Sequence, residues 1–89
     1  MNDDTFDESE FNRRNKQLGD RIKELRMKAG DENAEQFAYK HGISRVSYWR
    51  AEQGKSNTTL RILYLICQAH SISLAELFMP LNEKFEKYD

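Results

Sequence analysis

The sequence predicts an all-α domain of five helices, with a helical extension at its N-terminus. Three observations carry this reading. Apolar residues recur at helical spacing in successive stretches from Phe11 to Phe78. One proline and four glycines leave little material for loops. Between Asn33 and Gly54, two short helical patterns meet at a glycine turn, the arrangement of a helix-turn-helix.

The chain begins with an acidic leader, residues 1–14, expected to be partly disordered or a helical extension. Met1 to Asp4 is the disordered part of that expectation. Thr5-Phe6-Asp7-Glu8 matches a capping box, with Thr5 or Asp7 as the N-cap. From there to Ala29 only Gly19 interrupts good helix formers, at a cost of about 1 kcal/mol relative to alanine. Two readings stay open: one helix from about Phe6 to Ala29, or a short leader helix that ends near Asn15. Leu18, Ile22 and Leu25 form the core stripe of the first helix proper.

Gly30 to Asn33 closes that helix, and Asn33 is the expected N-cap of the next. Ala34, Phe37, Ala38 and His41 then share one face. Ala38 is small enough for a second helix to cross closely. Gly42 stops the helix where the backbone needs φ > 0. Ile43 plugs the space between the helices, and Ser44 caps the third, about Arg45 to Glu52. Tyr48 and Ala51 point inward, and Gln53-Gly54 ends it.

The fourth helix starts at Thr58 or Thr59 and runs to about His70. Leu60, Ile62, Leu63, Tyr64, Leu65, Ile66, Cys67 and Ala69 leave it almost no polar face. Such a helix is buried on more than one side. Leu60, Leu63, Ile66 and Cys67 are expected in the core, and Ile62 and Leu65 need a second cover. Ser73 and Glu76 form a capping box for a short fifth helix, Leu74 to Phe78, closed by Met79-Pro80. Residues 80–89 form a charged tail carrying Phe85 and Tyr88, either a short helix or loose.

The stretch NAEQFAYKHGISRVSYWRAEQG resembles the helix-turn-helix of the phage repressor, Cro and Xre-type DNA-binding family. LGDRIKELRMKAG resembles the family's first helix, and TTLRILYLICQAHSISLAELF its fourth and fifth. The resemblance implies a repressor-like DNA-binding domain over residues 15–79, with the third helix in the major groove. It departs from the family in two places. The connection before the second helix is one residue longer than usual. Ala34 stands where a phosphate-holding Gln is common, so a phosphate contact there needs backbone N–H groups or neighbours. Arg26 and Glu52 match positions that form an inward salt bridge in the family.

The formal net charge is −1, but it is unevenly spread. Residues 1–10 hold five carboxylates and no Lys or Arg, whereas residues 11–79 hold twelve Lys/Arg against seven Asp/Glu, a balance of +5. A basic body behind an acidic leader suits a nucleic-acid partner. Arg45 and Arg50 are candidates for bidentate contact with guanine, Val46 for a thymine methyl, and Ser47 for a base or a phosphate. Trp49 is a candidate for packing along the sugar–phosphate backbone. Lys55, Ser56 and Asn57, in the loop that follows, are candidates for gripping a phosphate. Lys40 is a weaker one.

No metal, cofactor or catalytic function is expected. His41, His70 and Cys67 match no zinc spacing, and both histidines read as partly buried packing residues. The lone cysteine allows no internal disulfide and permits a reducing compartment. No apolar run is long enough to span a membrane, and the acidic start argues against a secretory signal, so a cytoplasmic protein is expected. The expected partners are double-stranded DNA and a second copy of the chain. The copies would meet through Ile62, Leu65, Leu77, Met79 and Leu81, joined by Phe85 and Tyr88. Alternatively, Phe6 and Phe11 cover that surface within one chain. A second class of function stays open: an interaction module that keeps the fold and binds a protein such as a toxin or antirepressor.

Overall fold

A computed structural model describes residues 5–55 and 57–85. Five helices follow in order: α1 (Glu8–Lys28), α2 (Ala34–Lys40), α3 (Arg45–Gln53), α4 (Leu60–His70) and α5 (Leu74–Phe78). Each helix starts at a side chain that accepts a backbone N–H otherwise left unpaired: Asp7, Asn33, Ser44, Thr59 and Ser73 in turn. The Ser73–Glu76 capping box is complete, with both bonds at 3.0 Å. Among the described residues, no helix is long and apolar enough to cross a membrane.

Extension and first helix are one unbroken helix of 21 residues. The expected disorder of Met1 to Asp4 and the expected role of Tyr88 lie outside the described residues. Gly19 does more than interrupt helix formers. A Cβ built there would stand 2.5 Å from the carbonyl oxygen of Glu52 and 2.8 Å from that of Ala51. Gly54, at φ +63°, mirrors it: a Cβ there would lie 2.7 Å from the Lys16 Cα. The backbones of α1 and α3 therefore touch at two glycines, one from each side of the contact.

The core comprises Ile22 from α1, Phe37 and Ala38 from α2, Ile43, Tyr48 and Ala51 around α3, Leu63, Ile66 and Cys67 from α4, and Leu77 from α5. Ile43 is held in place by its own N–H, which donates to the Ala38 carbonyl at 2.9 Å.

Helix α4 differs from its expected burial. Leu60, expected inside, is 66% exposed, and Tyr64 one turn on is 59% exposed. Positions 60, 64 and 68 share a stripe at i, i+4 spacing that faces out. Ile62 and Leu65 are half-buried, packed against the core. Leu77, expected on an intersubunit surface, is fully buried. Arg21 of α1 closes α5 from below, its Nη2 donating to the Glu76 carbonyl at 2.9 Å and its Nε to that of Leu77 at 3.1 Å.

Residues 81–85 are neither helical nor loose. Arg14 donates to the Glu83 carbonyl at 2.9 Å and the Lys84 carbonyl at 3.2 Å, and its guanidinium lies 3.8 Å from the Phe85 ring centroid. Arg13 bridges Glu10 (2.6 Å) and Glu83 (2.8 Å), which holds both carboxyls below the usual range. Residues 83–85 thus lie along the first half of α1. Phe6, Phe11, Leu18, Phe78, Leu81 and Phe85 line an open groove of about 530 Å³ between them. Phe6 and Phe11 therefore face the tail rather than Ile62 and Leu65.

Two consequences can be measured. Gly19→Ala should improve helix propensity yet lower stability, because overpacking typically costs about 1–3 kcal/mol and here the neighbours are backbone. A raised unfolding temperature would mean that α1 and α3 are farther apart. The second concerns His70, whose ring stacks on Phe37 at 5.1 Å while His41 meets the same ring at 4.5 Å. Burial, and then the nearby His41, lowers the His70 pKa from its ordinary 6.5. Below that value the unfolded chain takes up a proton that the folded chain resists. The associated stability is present above pH 6.5 and is lost as pH falls through the folded-state value. Urea midpoints should fall between about pH 7 and about pH 5, and His70→Leu should flatten that fall. Parallel profiles for the two proteins would remove His70 from the effect.

Candidate nucleic-acid interface

The orientation of α3 follows from its inward face. Tyr48, Ala51 and Glu52 are buried, and Glu52 meets Arg26 of α1 in a two-pronged ion pair: Nε to Oε2 at 2.7 Å and Nη2 to Oε1 at 3.1 Å. The remaining guanidinium arm donates to the Asp31 carbonyl at 2.7 Å. The Glu52 carboxylate raises the Arg26 pKa above its ordinary value. Burial, reinforced by the negative charge of Glu52, keeps the Tyr48 hydroxyl protonated.

With those three positions turned in, helical periodicity turns Val46, Trp49 and Arg50 out, and Arg45, two turns before Glu52 on nearly the same side, is exposed at the start of the helix. All four are exposed, Val46 at 56% and Trp49 at 48%. Ser47 is half-buried. Arg45 does not project freely, because its Nη1 lies 3.2 Å from a Glu35 carboxylate oxygen. The Lys55 ammonium stands 5.6 Å from the Trp49 ring centroid, so cation and indole form one unit.

Two recesses border the outward residues Val46, Trp49 and Arg50. One, of about 230 Å³, is lined by Ala34, Glu35, Arg45, Val46 and Trp49. The other, of about 250 Å³, lies among Val46, Ser47, Arg50, Asn57, Thr58, Thr59 and Ile62. The structure thus brings together Arg45, Val46, Ser47, Trp49, Arg50, Lys55 and Asn57. Lys40 joins neither recess and is tied to Asp31 at 3.1 Å. Ser56 lies outside the described residues. Sequence reasoning missed Glu35, Thr58, Thr59 and Ile62. Glu35 reaches Arg45 only because α2 and α3 cross, and Thr58, Thr59 and Ile62 read as the start of α4.

The chain is 33% identical over 67 residues to the control protein C.MunI of a Mycoplasma species, across 75% of this chain and 90% of that relative. It belongs to the control-protein family. No family model matches the sequence, and no solved structure matches it. In this member of the control-protein family, the helix-turn-helix formed by α2 and α3 is the centre of the fold.

The Arg26–Glu52 pair yields a stability test. Removing either partner alone strands a buried charge and should cost about 3–5 kcal/mol. An Arg26→Met, Glu52→Leu double variant should recover much of that loss. Chemical denaturation showing near-zero change for both single alanine variants would mean that the pair is not buried in solution.

Proposed function

We propose that this control-protein family member is a sequence-specific, double-stranded DNA-binding transcriptional regulator that places α3 in the major groove. The observation that carries the reading is the segregation of charge on α3. Its one carboxylate, Glu52, is buried against Arg26, while Arg45 and Arg50 are exposed, with Trp49 and Val46 between them around the helix. Exposed donors flanking apolar side chains complement base edges, and Lys55 beside them complements a phosphate. The name of the relative, a control protein, supports a regulatory role. A binder of this kind is not an enzyme, needs no cofactor and works in the cytoplasm.

The regulator acts as a homodimer in this reading, because one helix-turn-helix reads only a half-site. With Leu77 buried and Ile62 and Leu65 packed inward, the surface for a second copy moves to the groove between α1 and the tail. Phe6, Phe11, Phe78, Met79 and Phe85 are exposed there or beside it. The groove is flanked by Arg13 and Arg14 together with Glu10 and Glu83. A surface carrying both signs of charge can complement itself across a two-fold axis. Its exposed aromatic groups also favour a protein contact of another kind, the second class of function.

Selection of bound sites from random duplexes tests the central claim, and a half-site repeat of about one DNA turn is the expected result. Arg45→Ala and Arg50→Ala should each lose roughly 1–3 kcal/mol on the selected site and much less on random DNA. Equal loss on both would take them out of base reading. Lys55→Ala should weaken all sequences alike and lower the salt slope by about one unit. An unchanged slope would rule out its phosphate contact.

Light scattering at micromolar concentration should give twice the 10.6 kDa chain mass. Phe11→Glu and Phe85→Glu should give single chains with unchanged helical circular dichroism. A single-chain mass for the unmodified protein would end the dimer proposal.

A further inference from the structure

The recess where α2 meets α3 points to a specific element of the base sequence. It is bounded by Ala34 at the start of α2 and by Val46 and Trp49, three residues apart on α3. The Arg45–Glu35 ion pair forms part of its lining. We infer that this recess receives the C5-methyl group of a thymine, so that Val46 and Trp49 together read a T·A pair in the major groove. The inference rests on the DNA-binding reading above and deepens it by naming the group that the apolar part of the face recognises.

Three features of the site support it. The first is the match of chemistry. The edges of bases in the major groove offer hydrogen-bond donors and acceptors and one apolar group, the thymine methyl. A recess with apolar walls on the helix that faces those edges has one complementary occupant there. The second is solvation. Val46 and Trp49 are about half exposed in the free protein. Their apolar surface is wet until something fills the recess, so burying a methyl there releases water from both partners. The third is the charge around it. Arg45 stands on one side, and Lys55 rests over the Trp49 ring on another. A free apolar ligand has no use for those cations, whereas a methyl group carried on a polyanion does. Glu35 keeps the Arg45 guanidinium beside the recess, so the donors for a neighbouring base and the pocket for the methyl are set side by side. Trp49 is thereby a wall of a base-reading site rather than a support for the sugar–phosphate backbone.

Replacing thymine by deoxyuridine removes the methyl group and leaves every hydrogen-bonding group in place. On a duplex selected by the protein, each thymine is exchanged for deoxyuridine in turn, and affinity is measured with the unmodified chain, Val46→Ala and Trp49→Ala. Both side chains are exposed, so the variants retain the core. One thymine in each half-site should show a three- to fivefold loss on exchange, about the effect of leaving one methyl group in water. In each variant that ratio should fall towards one, while the selected site is still bound in preference to random DNA. If deoxyuridine binds like thymine at every position, or if both variants keep the full ratio, the inference is overturned and the DNA-binding reading stands. If the unmodified chain selects no duplex sequence at all, the DNA-binding reading falls and takes the inference with it.

Discussion

The buried contact between Arg26 and Glu52 is the constraint on which the working face depends. A carboxylate taken out of water must keep its partner, so Glu52 can occupy only the orientation that reaches Arg26. On a helix of 3.6 residues per turn, fixing one position fixes the rest. A rotation of α3 by a single residue step would strand Glu52 and Arg26 together and would push Arg45 or Arg50 towards the core. The pair thus specifies rotation rather than adding much net stability, since desolvation offsets a large part of the attraction. The third arm of Arg26, on the Asp31 carbonyl, extends the same control to the connection ahead of α2.

The two glycines make that geometry possible. An ordinary pair of helices packs side chain on side chain at roughly 8–10 Å between axes. Here, Gly19 lets the carbonyls of Ala51 and Glu52 come against α1, and Gly54 lets the end of α3 come against Lys16. Close approach shortens the distance that the Arg26 side chain must span. On the outer side of α3, Val46 and Trp49 remain exposed. Their exposure is a cost in water that the free protein offsets only in part, through the Lys55 cation over the indole. The surface ion pairs on this side, Arg45–Glu35 and Lys40–Asp31, are of the kind worth about 0–1 kcal/mol.

At the other end of α1, the same residue types serve a different purpose. Arg13 and Arg14 are committed to Glu10, Glu83 and the tail carbonyls. Those two arginines counted towards the basic balance of the body, yet they hold residues 83–85 against α1. The cationic surface left for other partners is consequently smaller than composition suggests.

Much of this was legible in the sequence, for a physical reason. Caps, turn glycines and the inward positions of α3 obey rules that operate within one or two helical turns. Asn33, Ser44, Gly42, Tyr48 and Ala51 accordingly stand where local reading places them. Arg26 and Glu52 were paired by resemblance alone, because 26 residues separate them and no local rule joins them. Tertiary structure decided what depends on partners remote along the chain. The uniformly apolar α4 carried no mark of its outward side, so Leu60 was placed inside; only packing against the other helices turned it to solvent. Gly19 read as a weakness in a helix until α3 was laid across it. The course of residues 83–85, and the acid beside Arg45, were equally unreadable, since each takes its role from a side chain brought near only by tertiary packing. Periodicity determines which residues can share a face; only the packed structure determines what that face meets.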